Sequence, residues 1–254
     1  MRVAFVEWPE ALEANSAEWD GIADRLIAAR PDILITNELP FGHWIAEQPA
    51  FDAEHSQQSI DAHEKGLEAL AGLGIPAILS SRPVRAEGLL VNEAVAIENS
   101  VVRPVHRKHY FPEEPGWYEA SWYVPGSDGF TASAVGGLTV GVMLCTDAMF
   151  NEHARSYGRQ GASLIAIPRA AGTATENWLT AGKMAAIVSG GYVVSSNRVG
   201  RSRNGTVFGG TGFAFAPDGA LLAVTNPSDP LQVIEIDPER ASRQRSEYPC
   251  YVRG

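Results

Sequence analysis

Only two cysteines occur in 254 residues, Cys145 and Cys250. That is too few for the disulfide framework of a small secreted protein or for a cysteine-rich zinc site. A reducing compartment fits this content, and so does a working thiol. No apolar run approaches the roughly 18 residues that mark a membrane span. The chain opens directly into the strand-like run Arg2 to Val6, with no basic, apolar leader ahead of it. A cytoplasmic protein is expected, with no membrane partner. Positive charge is also short: 20 Lys and Arg against 30 Asp and Glu leave a formal net charge of -10. Nucleic-acid binding draws on basic side chains neutralising phosphates, so no nucleic-acid partner is expected.

Familiar catalytic and nucleotide signatures are missing as well. There is no Gly-x-Ser-x-Gly elbow and no Walker-type loop. Gly72-Leu73-Gly74-Ile75-Pro76-Ala77 loosely matches a dinucleotide pattern, but it leaves a helix and enters a strand. A pyrophosphate site needs strand, turn and then a helix N-terminus, so an ordinary helix-to-strand turn is the better reading. His106 and His109 lie three apart on or beside a strand. A period of two sends them to opposite faces, spoils a shared metal and leaves them as scattered surface polar groups.

What remains is an ordinary globular composition, 45% hydrophobic and 20% charged, in a length that α/β folds use as one domain. Val3 to Val6, a helical pattern from Trp19 to Ala29, Ile33 to Thr36 and a second helical pattern from about Ser59 to Leu73 give a βαβα order. Leu90 to Ile97 and Val101 to Arg107 flank the tight turn Glu98-Asn99-Ser100 and predict a hairpin. Leu138 to Leu144, a helix from about Ala148 to Gln160, Leu164 to Ile167, a helix ending near Gly190-Gly191 and Tyr192 to Ser196 resume the alternation. Gly212 to Ala216 and Leu221 to Val224 flank Pro217-Asp218-Gly219, a second hairpin turn. After Asp237 a polar, Arg-rich tail predicts one helical turn and then an extended arm. No internal repeat and no low-complexity linker is visible.

Three reactive side chains stand at three strand ends. Cys145 follows Val140-Gly141-Val142-Met143-Leu144 and precedes a helical pattern in which Asp147 suits an N-cap, aiming amides and their partial positive charge at the sulfur. Taken alone, a cysteine after such a run is more often core. Lys108 closes Val101 to Arg107 and enters a loop rich in aromatics and proline; on its own it reads as a solvated strand end. Glu38 follows Ile33-Leu34-Ile35-Thr36-Asn37 and on its own reads as a surface acid. Ligands in open α/β sheets bind beyond the carboxyl ends of the strands, where all three would converge.

In three blocks the residues resemble the nitrilase (carbon-nitrogen hydrolase) superfamily. Asn37-Glu38-Leu39-Pro40-Phe41-Gly42 resembles its glutamate block, and Arg107-Lys108 through Pro115-Gly116-Trp117-Tyr118-Glu119 its lysine block. Gly141-Val142-Met143-Leu144-Cys145-Thr146-Asp147 through Arg155 resembles its cysteine elbow. Further similarities lie at Gly161-Ala162, Ile167-Pro168, Tyr192-Val193-Val194, Asn197-Arg198-Val199-Gly200 and Pro217-Asp218-Gly219, so the resemblance spans nearly the whole chain. It implies a four-layer αββα sandwich with mixed sheets, assembling as a homodimer across which the tail 237–254 reaches. It also implies hydrolysis of a small amide through a thioester, with Cys145 as nucleophile, Glu38 as general base, and Lys108 with the Thr146 backbone N–H holding the oxyanion. Glu119 orients the lysine or the substrate, and no metal or organic cofactor is implied.

The chain departs from many amidase members at Thr146, where they carry an aromatic residue, and at Asn151, where they carry proline. The Asp of Cys145-Thr146-Asp147 favours the amidase branch over nitrile hydrolysis. N-carbamoyl hydrolysis and a silent binding or scaffold protein on the same fold remain as alternatives. Trp117, Tyr118 and Trp122 are candidates to line the entrance. Ala148 and Met149 occupy the segment where carbamoyl-acid hydrolases often place arginine, so Met149 is expected to face a neutral acyl group. Arg169, after Pro168, is the candidate for a carboxylate, unless it pairs with an acid such as Glu176.

Overall fold

The computed structural model describes residues 1–252. Strands β1 (Arg2–Val6), β2 (Ile33–Ile35), β3 (Ala77–Ala86), β4 (Leu89–Glu98) and β5 (Val101–Arg107) come from the first half of the chain. Helices α1 (Ala17–Ala29) and α2 (Ala53–Ala71) connect the first three of these strands. The second half supplies β6 (Ser133–Val135), β7 (Leu138–Val142), α3 (Asn151–Arg159), β8 (Leu164–Ala166) and α4 (Thr175–Ser189). It ends with β9 (Tyr192–Ser195), β10 (Phe213–Phe215), β11 (Leu221–Val224), β12 (Leu231–Glu235) and α5 (Pro238–Gln244).

Two six-stranded sheets result, in the orders β12-β1-β2-β3-β4-β5 and β11-β10-β9-β8-β7-β6. In the first, β1, β2 and β3 are parallel, while β12 adds to β1 and β4 to β3 antiparallel. In the second, β7, β8 and β9 are parallel, with β6 and β10 antiparallel beside them. The hairpin partners β5 and β11 complete each sheet antiparallel. The two halves therefore repeat one pairing pattern, although no repeat is legible in the sequence.

Alternation along the strands sorts the core into three seams. Val3, Phe5, Ile33, Ile35, Val140, Val142, Leu164 and Ala166 interdigitate between the sheets. Ala4, Leu34 and Ile78 face outward onto Trp19, Leu26, Leu67 and Leu70 of α1 and α2. Ile165, Ile167 and Val193 face outward onto Ala154, Tyr157, Ala185 and Ala186 of α3 and α4. This is the expected αββα layering with mixed sheets, built within a single chain.

Sequence expectations hold for most elements and fail at instructive places. The Glu98–Val101 hairpin turns through Asn99 at φ 50° and Ser100 at φ 61°, the paired left-handed geometry of a type I′ turn. Helix α2 starts earlier than its periodicity suggests, because the Asp52 carboxylate accepts from the amides of Glu54 and His55. The helix expected from Ala148 is split into a 3-10 turn, Cys145–Met149, and α3, which begins at Asn151 with no side-chain cap. Asp147 thus caps no α-helix. Beyond α5 the described part of the tail runs in turns as far as Tyr251, not as an extended arm. Arg155 donates to the Val252 carbonyl at 2.6 Å and Arg245 to the Ala162 carbonyl at 3.0 Å, so it lies against its own chain. His106 and His109 are not scattered surface groups: His106 is buried, and the two rings stack at 5.4 Å.

Helices α3 and α4 approach closely at Gly158, where a Cβ would stand 2.4 Å from the Ser189 carbonyl oxygen, a backbone atom that cannot swing aside. Gly21, in α1, has nothing within 4 Å of that position. Gly158→Ala is therefore expected to cost about 1–3 kcal/mol of overpacking. Gly21→Ala is expected to add about 0.5–1 kcal/mol through helix propensity. Urea denaturation of the two variants checks the opposite signs.

Candidate active site

Glu38, Lys108, Glu119 and Cys145 lie beyond strand ends and come together in the interior, with Glu38, Lys108 and Glu119 fully buried and Cys145 only 3% exposed. Three of them are placed by backbone bonds that cross between elements. The Glu38 amide donates to the Arg169 carbonyl at 3.3 Å, the Lys108 amide to Asn92 at 2.9 Å and the Cys145 amide to Pro168 at 2.9 Å. The turn after Glu38 is gripped from both sides. Leu39, at φ 47°, donates to Ser81 Oγ at 2.7 Å, and its carbonyl accepts from the buried Arg198, which also pairs with Glu10.

The Lys108 ammonium donates to Glu38 Oε1 at 2.8 Å and to Glu119 Oε2 at 2.5 Å, and Asn92 Nδ2 adds a second donor to Glu38 Oε1 at 2.8 Å. Burial alone works against the charged lysine, but Glu119, Glu38 and Cys145 outweigh it and hold its pKa well above the ordinary value. One ammonium cannot neutralise two desolvated carboxylates. The cost falls on Glu119, which burial pushes up to about 8 against the pull of Lys108, with Glu38 adding to the rise. Glu38 Oε2 and Glu119 Oε1 are buried with no hydrogen-bond partner within the described protein.

Cys145 occupies a left-handed corner, φ 48°, between β7 and the 3-10 turn, a conformation that costs a non-glycine residue on the order of 1–3 kcal/mol. Burial raises the thiol pKa, Glu38 raises it further, and Lys108 and the Ala170 amide pull it down. At rest the group is a protonated thiol, so its use as a nucleophile requires a base close by.

Asp147 ties this corner to the lysine loop. Its Oδ1 accepts from the amides of His109 and Tyr110, each at 3.1 Å, and its Oδ2 from the Leu144 amide at 3.2 Å and His106 Nε2 at 2.9 Å. The residue expected as a helix cap is instead the clasp between the segments that carry Lys108 and Cys145. Asn92, Tyr123 and the Ala170 amide also belong to the site and were not singled out in the sequence. Each arrives from a separate element, and only tertiary contact relates them to the cysteine.

The candidate binding residues fare unevenly. Thr146 follows the cysteine on the 3-10 turn. Trp117 is half-buried, with Nε1 donating to the Ala170 carbonyl at 3.2 Å, and Tyr118 is half-buried in a short ribbon opposite Glu113. Trp122 is packing: fully buried, it donates to the Gln48 carbonyl and packs on Phe51. Met149 is 40% exposed at the end of the 3-10 turn, four residues after Cys145. Arg169 is corrected. It continues the face of Ile165 and Ile167 toward α4, with its guanidinium between Trp178 and Phe213. There it donates to Ser195 Oγ and to the Thr211 carbonyl, each at 2.7 Å. It pairs neither with Glu176 nor with a carboxylate in the site.

The carbon-nitrogen hydrolase family model matches residues 31–246. An N-carbamoylputrescine amidase from Oryza sativa subsp. japonica is 31% identical over 140 residues, 49% of this chain and 46% of that protein. An (R)-stereoselective amidase from Pseudomonas sp. is 26% identical over 72% of this chain and 65% of its own length. The chain spans about half the length of the carbamoylputrescine amidases it matches. Among solved structures, a carbon-nitrogen hydrolase from Helicobacter pylori G27 superposes with a TM-score of 0.87 at 22% identity, covering 99% of this chain and 94% of that one. An amidase from Nesterenkonia sp. follows the same fold with a TM-score of 0.78 at 22% identity, covering 97% and 94%. With the family model running from β2 into the tail, across every strand end that carries a reactive group, the chain belongs to the carbon-nitrogen hydrolase family.

Proposed function

We propose that this protein is an amidase that hydrolyses a small, uncharged amide to a carboxylic acid and ammonia or an amine through a thioester on Cys145. The observation that carries the proposal is the buried Lys108 ammonium held by both Glu38 and Glu119 next to a cysteine in a left-handed corner. The amidase names of the rice and Pseudomonas relatives support it.

In this reading Glu38 removes the thiol proton as the sulfur attacks the carbonyl carbon. The oxyanion is met by Lys108 and the Thr146 N–H, a type of stabilisation worth about 3–4 kcal/mol per donor. Glu38 returns the proton to the departing nitrogen as the C–N bond breaks. A water then attacks the thioester, giving its proton to Glu38; the S–C bond breaks and the thiol is restored. Glu119 keeps Lys108 charged and fixed. A neutral acyl group is proposed because the Arg169 guanidinium is bound to Ser195 and the Thr211 carbonyl, the terminal nitrogens of Arg198 are bound to Glu10 and the Leu39 and Gly42 carbonyls, and an unpaired carboxylate is costly to bury. We further place the enzyme in the cytoplasm as a homodimer, which the mass measured by light scattering tests.

A panel of amides, carbamoyl compounds and nitriles assayed for ammonia release tests the activity itself. Cys145→Ala, Lys108→Ala and Glu38→Gln are each expected to lower kcat/KM by about three orders of magnitude or more. Cys250→Ala and Glu114→Gln stay near the parent, and an essential Glu114 with a dispensable Glu119 would overturn the assignment of the lysine loop. Asp147→Asn puts an NH2 group against backbone donors and is expected to cost about 2–3 kcal/mol of stability. Its kcat is expected to fall more than its KM rises, since the clasp orients Lys108 and Cys145 without touching substrate; unchanged kcat in a folded variant contradicts that role.

A further inference from the structure

Tyr123 is the one buried hydroxyl beside the catalytic cluster that has no hydrogen-bond partner among the described residues. It is 2% exposed, and its ring stacks on Phe111 at 5.7 Å and 11°, the ring over which the Lys108 ammonium lies at 5.4 Å. Its direction follows from register. Tyr123 forms a bridge with Leu90, flanked by bonds from the Leu90 amide to Trp122 and from the Val124 amide to Leu90. Bridged residues share a face, and Leu90 shares its face with Asn92 two positions on. Asn92 is the residue that reaches Glu38. The Tyr123 side chain therefore enters the site on the Asn92 face, while its amide is bonded to the Glu119 carbonyl at 2.9 Å. Glu119 and Glu38 are the charged groups that act most strongly on its hydroxyl.

Burying a hydroxyl without a partner is costly, and the cost returns nothing to the fold. Three acceptors in the same cluster, Glu38 Oε2, Glu119 Oε1 and Asn92 Oδ1, are likewise unpaired. A polar group arriving from outside would satisfy a donor placed here. We propose that Tyr123 is a specificity-determining residue, its hydroxyl bonding a polar atom on the carbon next to the scissile carbonyl. The enzyme then favours small amides carrying a hydroxyl or N–H there over apolar isosteres. This rests on the amidase reading above.

Glycolamide and propionamide differ only by OH in place of CH3 and separate the cases. The parent is expected to favour glycolamide in kcat/KM by about tenfold or more, as sites built around a substrate hydroxyl do. Tyr123→Phe loses that factor on glycolamide and stays within about twofold on propionamide, with a melting temperature equal to or above the parent's because no protein hydrogen bond is lost. Equal losses on both amides, or a preference untouched by the substitution, overturn the proposal; the second result assigns the hydroxyl to a buried water. Calorimetric binding of both amides to Cys145→Ala, with and without Tyr123→Phe, reads the contact without turnover. Tyr123-dependent selectivity there, in a protein whose parent hydrolyses neither amide, refutes the amidase reading and leaves this inference standing. Equal binding of both amides overturns this inference.

Discussion

The structure depends on one cation held away from water. Lys108 has no exposed surface, and taking an ammonium out of solvent costs several kcal/mol unless partners replace its hydration. Glu38 and Glu119 are those partners, one from beyond β2 and one from the loop after β5. Both carboxylates reach the same ammonium, so the two loops that carry them close over the strand ends together. Two carboxylates share one ammonium, and burial displaces Glu119 upward against the pull of Lys108.

Around that cation the fold supplies precision through bonds that cross between elements. The turn carrying Glu38 is held by Ser81 and Arg198, the lysine loop by Asp147, and the cysteine corner by Pro168 and Asp147. The left-handed conformations of Leu39 and Cys145 are strained, and such strain persists only where the surroundings over-determine it. The repeated pairing pattern of the two sheets puts the C-terminal ends of β2 and β7 on opposite sides of the inter-sheet core. Their loops meet above it, and the site is shared by both halves.

Much of this was legible in the chain. Strand periodicity located β1, β2, β4, β5, β7, β8 and β9, and the three motif blocks singled out Glu38, Lys108, Glu119 and Cys145. The errors have specific causes. The place of Arg169 after Pro168 points to the site, whereas the alternation Ile165, Ile167, Arg169 sends it to the helix side, against Trp178 and Phe213. Capping is local, so the sequence around Asp147 predicts a cap, while its donors His109 and Tyr110 lie almost forty residues away along the chain. Strand β12 escaped because it follows the last hairpin as an edge partner of β1, from the far end of the chain.

By itself the sequence determined what depends on neighbours along the chain. Period-two and period-3.6 patterns, turn residues with positive φ and short motif blocks define the α/β elements and the reactive residue types. Tertiary structure alone decided the rest: which carboxylate oxygens face the lysine, that the thiol is raised by burial, that Arg169 turns to Ser195 and the Thr211 carbonyl, and that Tyr123 enters on the face of Asn92. Those properties depend on distance, dielectric and direction between groups brought together by folding, and no local pattern encodes them.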